Sequence, residues 1–368
     1  MTYLTVFRDP ATAQRLIGAI RARVRGPLNV MEFCGGHTHA IMRYGLREAL
    51  APGVRLLSGP GCPVCVTASG DIDQAIALSQ IPGVTLATFG DMIRVPGTRT
   101  SLQGARAEGS DVRVVYSAID ALDLARKLPQ QQVVMLGIGF ETTAPTIAAA
   151  IAQADAEGLG NFSVYSMHKL TAPAMRAILD AGEVAVHAVL GPGHVAAITG
   201  WQAWSFLATD YHVSCAVAGF EPTDILQALL ACAEDSATGA PRLTNTYGRG
   251  VTADGNLIAQ RLMGQVFVTV DAAWRGLGVI ADSGLGVAEA YLAFDARARF
   301  GLAPVAEGPI DAESEAGCRC GEVLRGVTEP ADCPLFGTAC TPAHPVGPCM
   351  VSAEGSCAAH HRYRGFTS

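Results

Sequence analysis

From about residue 26 onward, short β-branched runs alternate with longer helix-patterned segments, and most of the runs end in a glycine-rich or polar loop. That alternation is the pattern of a mostly parallel sheet covered by helices, so the fold class expected is α/β. Expected strands are Leu28 to Phe33, Val54 to Leu57, Val84 to Thr88, Val112 to Tyr116, Val133 to Ile138, Ser163 to Ser166, Val186 to Leu190 and Val213 to Val217. Residues 28–61 and 163–193 each read strand, loop, helix, then a strand closing on Gly-Pro-Gly, as two copies of one unit would. Two related parallel-sheet domains around a cleft are therefore expected, over residues 1–125 and 126–300.

The composition changes after about Phe300. From Cys318 the chain carries Cys318, Cys320, Cys333, Cys340, Cys349 and Cys357 amid proline and glycine, with almost no apolar periodicity. A segment like this cannot build a large core, and small irregular units of the kind are held by a metal or by covalent links. Residues 301–368 are thus expected to form a third, small, irregular domain.

The charge balance of 26 Lys and Arg against 33 Asp and Glu, with no basic run interleaved with aromatics, argues against nucleic acid as a partner. Every apolar stretch is broken by Gly, Pro, His or charge before it could cross a bilayer, and the first residues lack an export signal. A cytoplasmic location without membrane contact is expected. In that reducing setting, 11 clustered cysteines point to metal ligation or redox chemistry rather than a disulfide framework.

Three constellations carry chemistry. The six tail thiols exceed the four that one zinc or one cubane cluster takes. A cluster beside a redox-active pair uses all six, whereas a single structural zinc leaves two over. The second constellation is Met31-Glu32-Phe33-Cys34-Gly35-Gly36-His37-Thr38-His39, where a strand turns into a helix. A helix N-terminus favours a thiolate, the glycines allow close approach to Cys34, and His37 and His39 offer nitrogen ligands or proton carriers. The third is Gly59-Pro-Gly-Cys62-Pro-Val-Cys65, a pair suited to reversible oxidation or transient metal transfer. Around these, the loops carrying Asp91, Glu141-Thr142-Thr143, His168-Lys169, His194 and Glu221 follow strands and line a polar crevice. Thr142, Thr143 and Asp91 also suit helix caps, and His194 also suits a structural role. Cys215 and Cys232 read as core residues. No Walker loop or dinucleotide fingerprint is present, so ATP and NAD are not supported.

Taken in order, CGGHTH at Cys34, GPGCPVC at Gly59, GFETTAPT at Gly139, GPGH at Gly191 and the tail pattern from Cys318 to Cys357 resemble the HypD family over nearly the whole chain. The resemblance implies a hydrogenase maturation factor, a scaffold on which iron receives two cyanides and one carbon monoxide before delivery to the large subunit of [NiFe]-hydrogenase. It implies work with a HypC-like chaperone, which shares the iron through a cysteine, and a HypE-like cyanide donor. It also implies that Cys34 ligates the Fe(CN)2CO iron, with His37, Asp91 and His194 around it. For the tail it implies a [4Fe-4S] cluster on Cys318, Cys333, Cys340 and Cys357 beside a redox pair, Cys320 and Cys349, with electrons passing on to Cys62 and Cys65. In this the family is similar to ferredoxin:thioredoxin reductase, and the competing reading is an iron-sulfur thiol-disulfide oxidoreductase in which Cys34 is merely structural.

Overall fold

The computed structural model describes residues 3–305 and 317–363. It is α/β with parallel sheets. The strands in chain order are β1 Leu28–Glu32, β2 Val54–Ser58, β3 Val84–Thr88, β4 Val112–Val114, β5 Gln132–Gly137, β6 Phe162–Ser166, β7 Ala188–Pro192, β8 Ser214–Ala218, β9 Leu243–Asn245, β10 Phe267–Trp274 and β11 Gly278–Val287. All eight expected strands are present. To them are added β9 and an antiparallel hairpin of β10 and β11, in register from Phe267 opposite Val287 to Trp274 opposite Gly278.

A five-stranded sheet has the order β2-β1-β7-β8-β9 and a four-stranded sheet the order β4-β3-β5-β6, each parallel throughout. Strands β3, β6 and β8 are buried at every position, because parallel sheets carry their connecting helices on both faces.

The strand order departs from the expected division in two ways. The boundary expected near residue 125 falls between β4 and β5, inside the four-stranded sheet, while β1 and β2 pair with strands from beyond residue 187. The two apparent copies are also not equivalent. The first, β1 to β2, joins neighbours of one sheet, whereas the second, β6 to β7, crosses from the four-stranded sheet to the five-stranded one. Local strand-helix-strand patterning specifies elements, not the edge at which the next strand pairs.

Apolar residues of both sheets meet in one core. Met31, Phe33 and Leu57 from one side and Leu86, Val134 and Leu136 from the other belong to a single buried cluster that also contains Cys62, Cys65, Cys320 and Cys349. A second cluster lies under the helix Ala144–Glu157, and a third under the helices Pro10–Arg23 and Pro222–Thr238.

The cysteine-bearing tail is wedged against the five-stranded sheet and the β10–β11 hairpin. A Cβ on Gly326 would lie 2.9 Å from Cε of Met31, and one on Gly276, at the tip of the β10–β11 hairpin, 2.5 Å from Cα of Gly321. Arg325 donates to the Gly276 carbonyl at 2.7 Å. The hairpin also fixes the segment after Cys65, since buried Arg275 donates to the carbonyls of Thr67 at 2.9 Å and Pro96 at 2.8 Å. Among the described residues, no helix is long and apolar enough to cross a membrane.

Candidate functional site

Strand β1 delivers Cys34 to the N-cap position of the helix Gly35–Arg43. Its sulfur is buried, 3.5 Å from Nδ1 of His194, which enters from the first turn of the helix Gly193–Thr199 that follows β7 directly. Glycines are required here by close approach. A Cβ on Gly61 would lie 2.3 Å from the Cys34 nitrogen, so the Gly-Pro-Gly loop presses its backbone directly on Cys34, and Gly35 N–H donates to the Gly61 carbonyl at 3.1 Å. A Cβ on Gly35 would lie 2.4 Å from the carbonyl oxygen of Glu354, the point at which the tail reaches the site.

The electrostatics run against a resting thiolate. Burial pushes the Cys34 thiol well above the usual thiol range, and the carboxyls of Glu32 and Glu354 add to this, while the amides of His37 and Gly36 oppose it. The helix N-terminus alone was expected to favour the ionised sulfur, but desolvation outweighs it. His194 is neutral, burial holding it at about 4. His37 is held at about 3 by burial and by His194. Its Nε2 lies 3.0 Å from the Gly219 carbonyl, which makes Nε2 the protonated nitrogen and leaves Nδ1 a buried acceptor without a hydrogen bond.

Glu354 was missed from the sequence, and Glu32, within the Met31–His39 constellation, was given no role of its own there. Glu32 is buried at the end of β1, accepts from the Cys34 amide at 3.0 Å and from the Thr38 hydroxyl, and is pushed up to about 8 by burial. A carboxylate closing the otherwise apolar run Leu-Asn-Val-Met-Glu was the available signal. Glu354 lies in a stretch without periodicity, where no local signal marks it; burial, then Asp91, raises its pKa.

Not every expected residue reaches Cys34. Asp91 accepts from the Ser352 hydroxyl at 2.8 Å and so ties its turn, Gly90–Arg94, to the tail. Arg94 of the same turn donates to the Val351 carbonyl at 3.1 Å. His39 lies with Nε2 2.9 Å from the Tyr363 hydroxyl and anchors the last helix, Ser356–Tyr363. Glu141 accepts from the amide and hydroxyl of Thr171 at 2.8 and 2.9 Å, fixing the start of the helix Thr171–Ala181. His168 is buried beside Ser166 at 3.0 Å, and Lys169 makes a buried ion pair with Asp71 at 3.7 Å. These are framework roles.

The sulfurs divide into groups. Cys62 and Cys65 form a disulfide with Cα atoms 5.2 Å apart, and Cys320 and Cys349 form another at 6.4 Å. The two are neighbours: the Cys65 sulfur lies 3.9 Å from the carbonyl oxygen of Pro348, the residue before Cys349. Cys318, Cys333, Cys340 and Cys357 lie outside both disulfides. All six tail cysteines line one small cavity with Val323, Phe336 and Met350. The Cys357 thiol is raised by burial and then by the sulfurs of Cys318, Cys340 and Cys333. Cys215 and Cys232 are buried in the core, as expected.

The chain matches known proteins over nearly its whole length. The family model of HypD, described as the hydrogenase formation hypA family, matches residues 11–364. The chain is 47% identical to the hydrogenase maturation factor HypD of Azotobacter vinelandii, over 99% of this chain and 97% of that one. It is 43% identical to that of Escherichia coli strain K12, over 99% and 98%, and 43% identical to that of Rhodobacter capsulatus, over 99% of both. With a match of this extent running through the Cys34 turn, both disulfides and the tail, the chain belongs to the HypD family of hydrogenase maturation factors.

Proposed function

We propose that the chain is a scaffold on which iron receives cyanide and carbon monoxide, with Cys34 as the ligand this chain contributes. The iron is cargo, shared with a HypC-like chaperone, supplied with cyanide by a HypE-like donor and passed on to a [NiFe]-hydrogenase large subunit. The observation that carries the reading is that one buried thiol, the Cys62–Cys65 disulfide loop and the tail segment around Cys349 and Glu354 all meet at one place. A structural cysteine has no use for that convergence. A soft thiolate is the ligand suited to low-spin iron with strong-field diatomic ligands.

The chain's own residues define how Cys34 can be loaded. The thiol rests protonated, so a metal must displace the proton as it binds. Neutral His194, 3.5 Å away, is the group placed to take it. Glu32 holds the turn by accepting the Cys34 amide, and so aims the sulfur at His194. His37, its Nε2 committed to Gly219, offers Nδ1 as an acceptor rather than a donor toward whatever occupies the site.

The tail cavity suits a [4Fe-4S] cluster on Cys318, Cys333, Cys340 and Cys357. Its lining holds all four of these sulfurs, with apolar Val323, Phe336 and Met350 to exclude water. A Cβ on Gly347 would lie 2.6 Å from the Cys318 sulfur, so that glycine keeps the wall close to the ligand. A cube binds one thiolate at each of four separate corners, whereas a tetrahedral zinc needs all four on one point. When bound, such a cluster supplies single electrons beside the Cys320–Cys349 disulfide. Two electrons from an external reductant, passed one at a time, would open that disulfide to two thiols. Cys349, whose neighbour Pro348 lies against Cys65, would then attack Cys65 and release the Cys62 thiol, and Cys320 would resolve the Cys349–Cys65 mixed disulfide, re-forming Cys320–Cys349 and leaving Cys62 and Cys65 reduced.

Infrared spectroscopy of anaerobically purified protein tests the scaffold reading. Cys34→Ala is expected to abolish the diatomic-ligand bands while the visible absorption of the cluster survives. Retention of those bands favours the competing reading, a cluster-dependent thiol-disulfide oxidoreductase.

A further inference from the structure

The Cys34 sulfur is sealed on one side by a residue from a surface loop. Phe220 stacks on His37, with ring centroids 4.9 Å apart and planes at 28°, and lies 5.4 Å from the His194 ring. A Cβ on Gly36 would lie 3.2 Å from the Phe220 ring and 3.4 Å from the Cys34 sulfur, so only that missing methyl separates aromatic ring from thiol. The backbone of Gly61 presses on the Cys34 backbone, and the carbonyl of Glu354 on Gly35. Phe220, like His194 beside it, spans from the buried sulfur to a partly exposed position, and of the two it is Phe220 whose loop the N-terminal arm holds.

The loop carrying Phe220 is held from outside by the N-terminal arm. The Phe7 carbonyl accepts from the Thr223 amide at 3.3 Å and from its hydroxyl at 2.8 Å. Arg8 makes two hydrogen bonds to Glu221, at 2.5 and 2.7 Å. Arg249, paired with buried Asp224, stacks over the Phe7 ring at 3.8 Å and the Tyr247 ring at 4.6 Å, and Tyr247 meets Phe220 edge-on at 6.3 Å. A continuous series of contacts thus runs from the surface arm to the buried thiol.

We propose that Phe220 is a hinged lid over Cys34 and that Phe7 and Arg8 latch it, so that displacement of the arm opens the sulfur to an incoming thiol or metal. The lid deepens the scaffold reading and rests on it for its purpose, since Cys34 needs access only if its ligand arrives from outside. Loops that open locally do so through few buried contacts and solvent-exposed bonds, and in the Arg8–Glu221 pair Arg8 is exposed and Glu221 partly so. Modification of a buried group then proceeds at a rate set by the population of the open form.

Iodoacetamide labelling of the intact, anaerobically purified protein, read peptide by peptide in a mass spectrometer, tests this without any loaded iron. Cys215, buried in β8, and Cys232, buried in the helix Pro222–Thr238, serve as internal controls. Phe220→Ala is expected to speed labelling of Cys34 by about tenfold, equivalent to about 1.4 kcal/mol of lost closure, with Cys215 and Cys232 unchanged. Phe220→Leu is expected to restore most of the protection. Arg8→Ala, a surface change that leaves the core intact, is expected to speed Cys34 labelling several-fold through the latch. Unchanged Cys34 labelling in both Phe220→Ala and Arg8→Ala overturns the proposal, as does a parallel rise at Cys215 and Cys232, which marks general loosening. Loss of infrared bands in Cys34→Ala stands or falls separately, so the lid and the scaffold reading fail in different experiments.

Discussion

The Cys34 sulfur and Nδ1 of His194 lie 3.5 Å apart, a thiol held protonated by burial facing an imidazole held neutral by burial. Neither is reactive at rest, yet metal binding to sulfur turns the pair into an acid and its base. His194→Ala is expected to slow iron loading of Cys34 on the order of 10²-fold, the scale of a lost general base, with little change in final stoichiometry. Stopped-flow or quench measurement of loading checks it, and an unchanged rate removes His194 from the deprotonation step.

The tail assigns different fates to two cysteines one residue apart. Cys318→Ser is expected to lose the visible absorption and iron of the cluster, because it removes one of four ligands. Cys320→Ser is expected to keep the cluster and lose only the disulfide with Cys349. Iron and sulfide analysis with thiol titration of the two variants distinguishes them, and the reverse outcome exchanges the roles of Cys318 and Cys320.

Gly35 tests how firmly the tail is seated. A methyl group there would meet the Glu354 carbonyl oxygen and Cβ at 2.4 and 2.5 Å, and both belong to a segment packed against Cys34. Gly35→Ala is expected to destabilise the protein by about 1–3 kcal/mol, the usual cost of overpacking, and to expose the tail to limited proteolysis. Wild-type resistance to protease in this variant contradicts the close contact.

Acid should unfold the protein early. His37, His168 and His360 are held at about 3 and His194 at about 4, each chiefly by burial. The unfolded chain binds protons at these four groups below about pH 6.5 while the folded chain does not, so stability falls as pH drops from there toward 4. Each histidine contributes up to about 1.4 kcal/mol per pH unit in that window. Glu32 works the other way: held up to about 8, it costs stability as pH rises from about 4.5 to 8. A melting temperature highest near pH 6.5 and falling steeply toward pH 5 is expected. A flat profile between pH 7 and 5 means that the histidines are not buried neutral.

What was legible in the sequence was whatever is adjacent along the chain. Cys34 with its glycines, the Cys62–Cys65 pair and eight of the strands are local patterns of spacing and β-branching. Glu32 and Glu354 were not legible as a pair, since Glu32 is two residues from Cys34 but Glu354 comes near only when the tail, more than 300 residues away, folds back onto Gly35. Phe220 was hidden by its setting, because Gly-Phe-Glu-Pro reads as an ordinary helix start and Glu221 does cap the helix Pro222–Thr238. The apparent repeat misled for a related reason: β6 and β7 look like β1 and β2 in sequence, but they lie in different sheets. Residue spacing sets which elements form, and the packing of both sheets into one core sets where they go.

The most direct test is Mössbauer and infrared spectroscopy on one anaerobic sample of this chain co-purified with a HypC-like partner. The expected result is two kinds of iron, a four-iron cluster and a separate low-spin site bearing cyanide and carbon monoxide bands that disappears with Cys34→Ala. Iron confined to the cluster, with no diatomic bands in the wild-type complex, would contradict the scaffold.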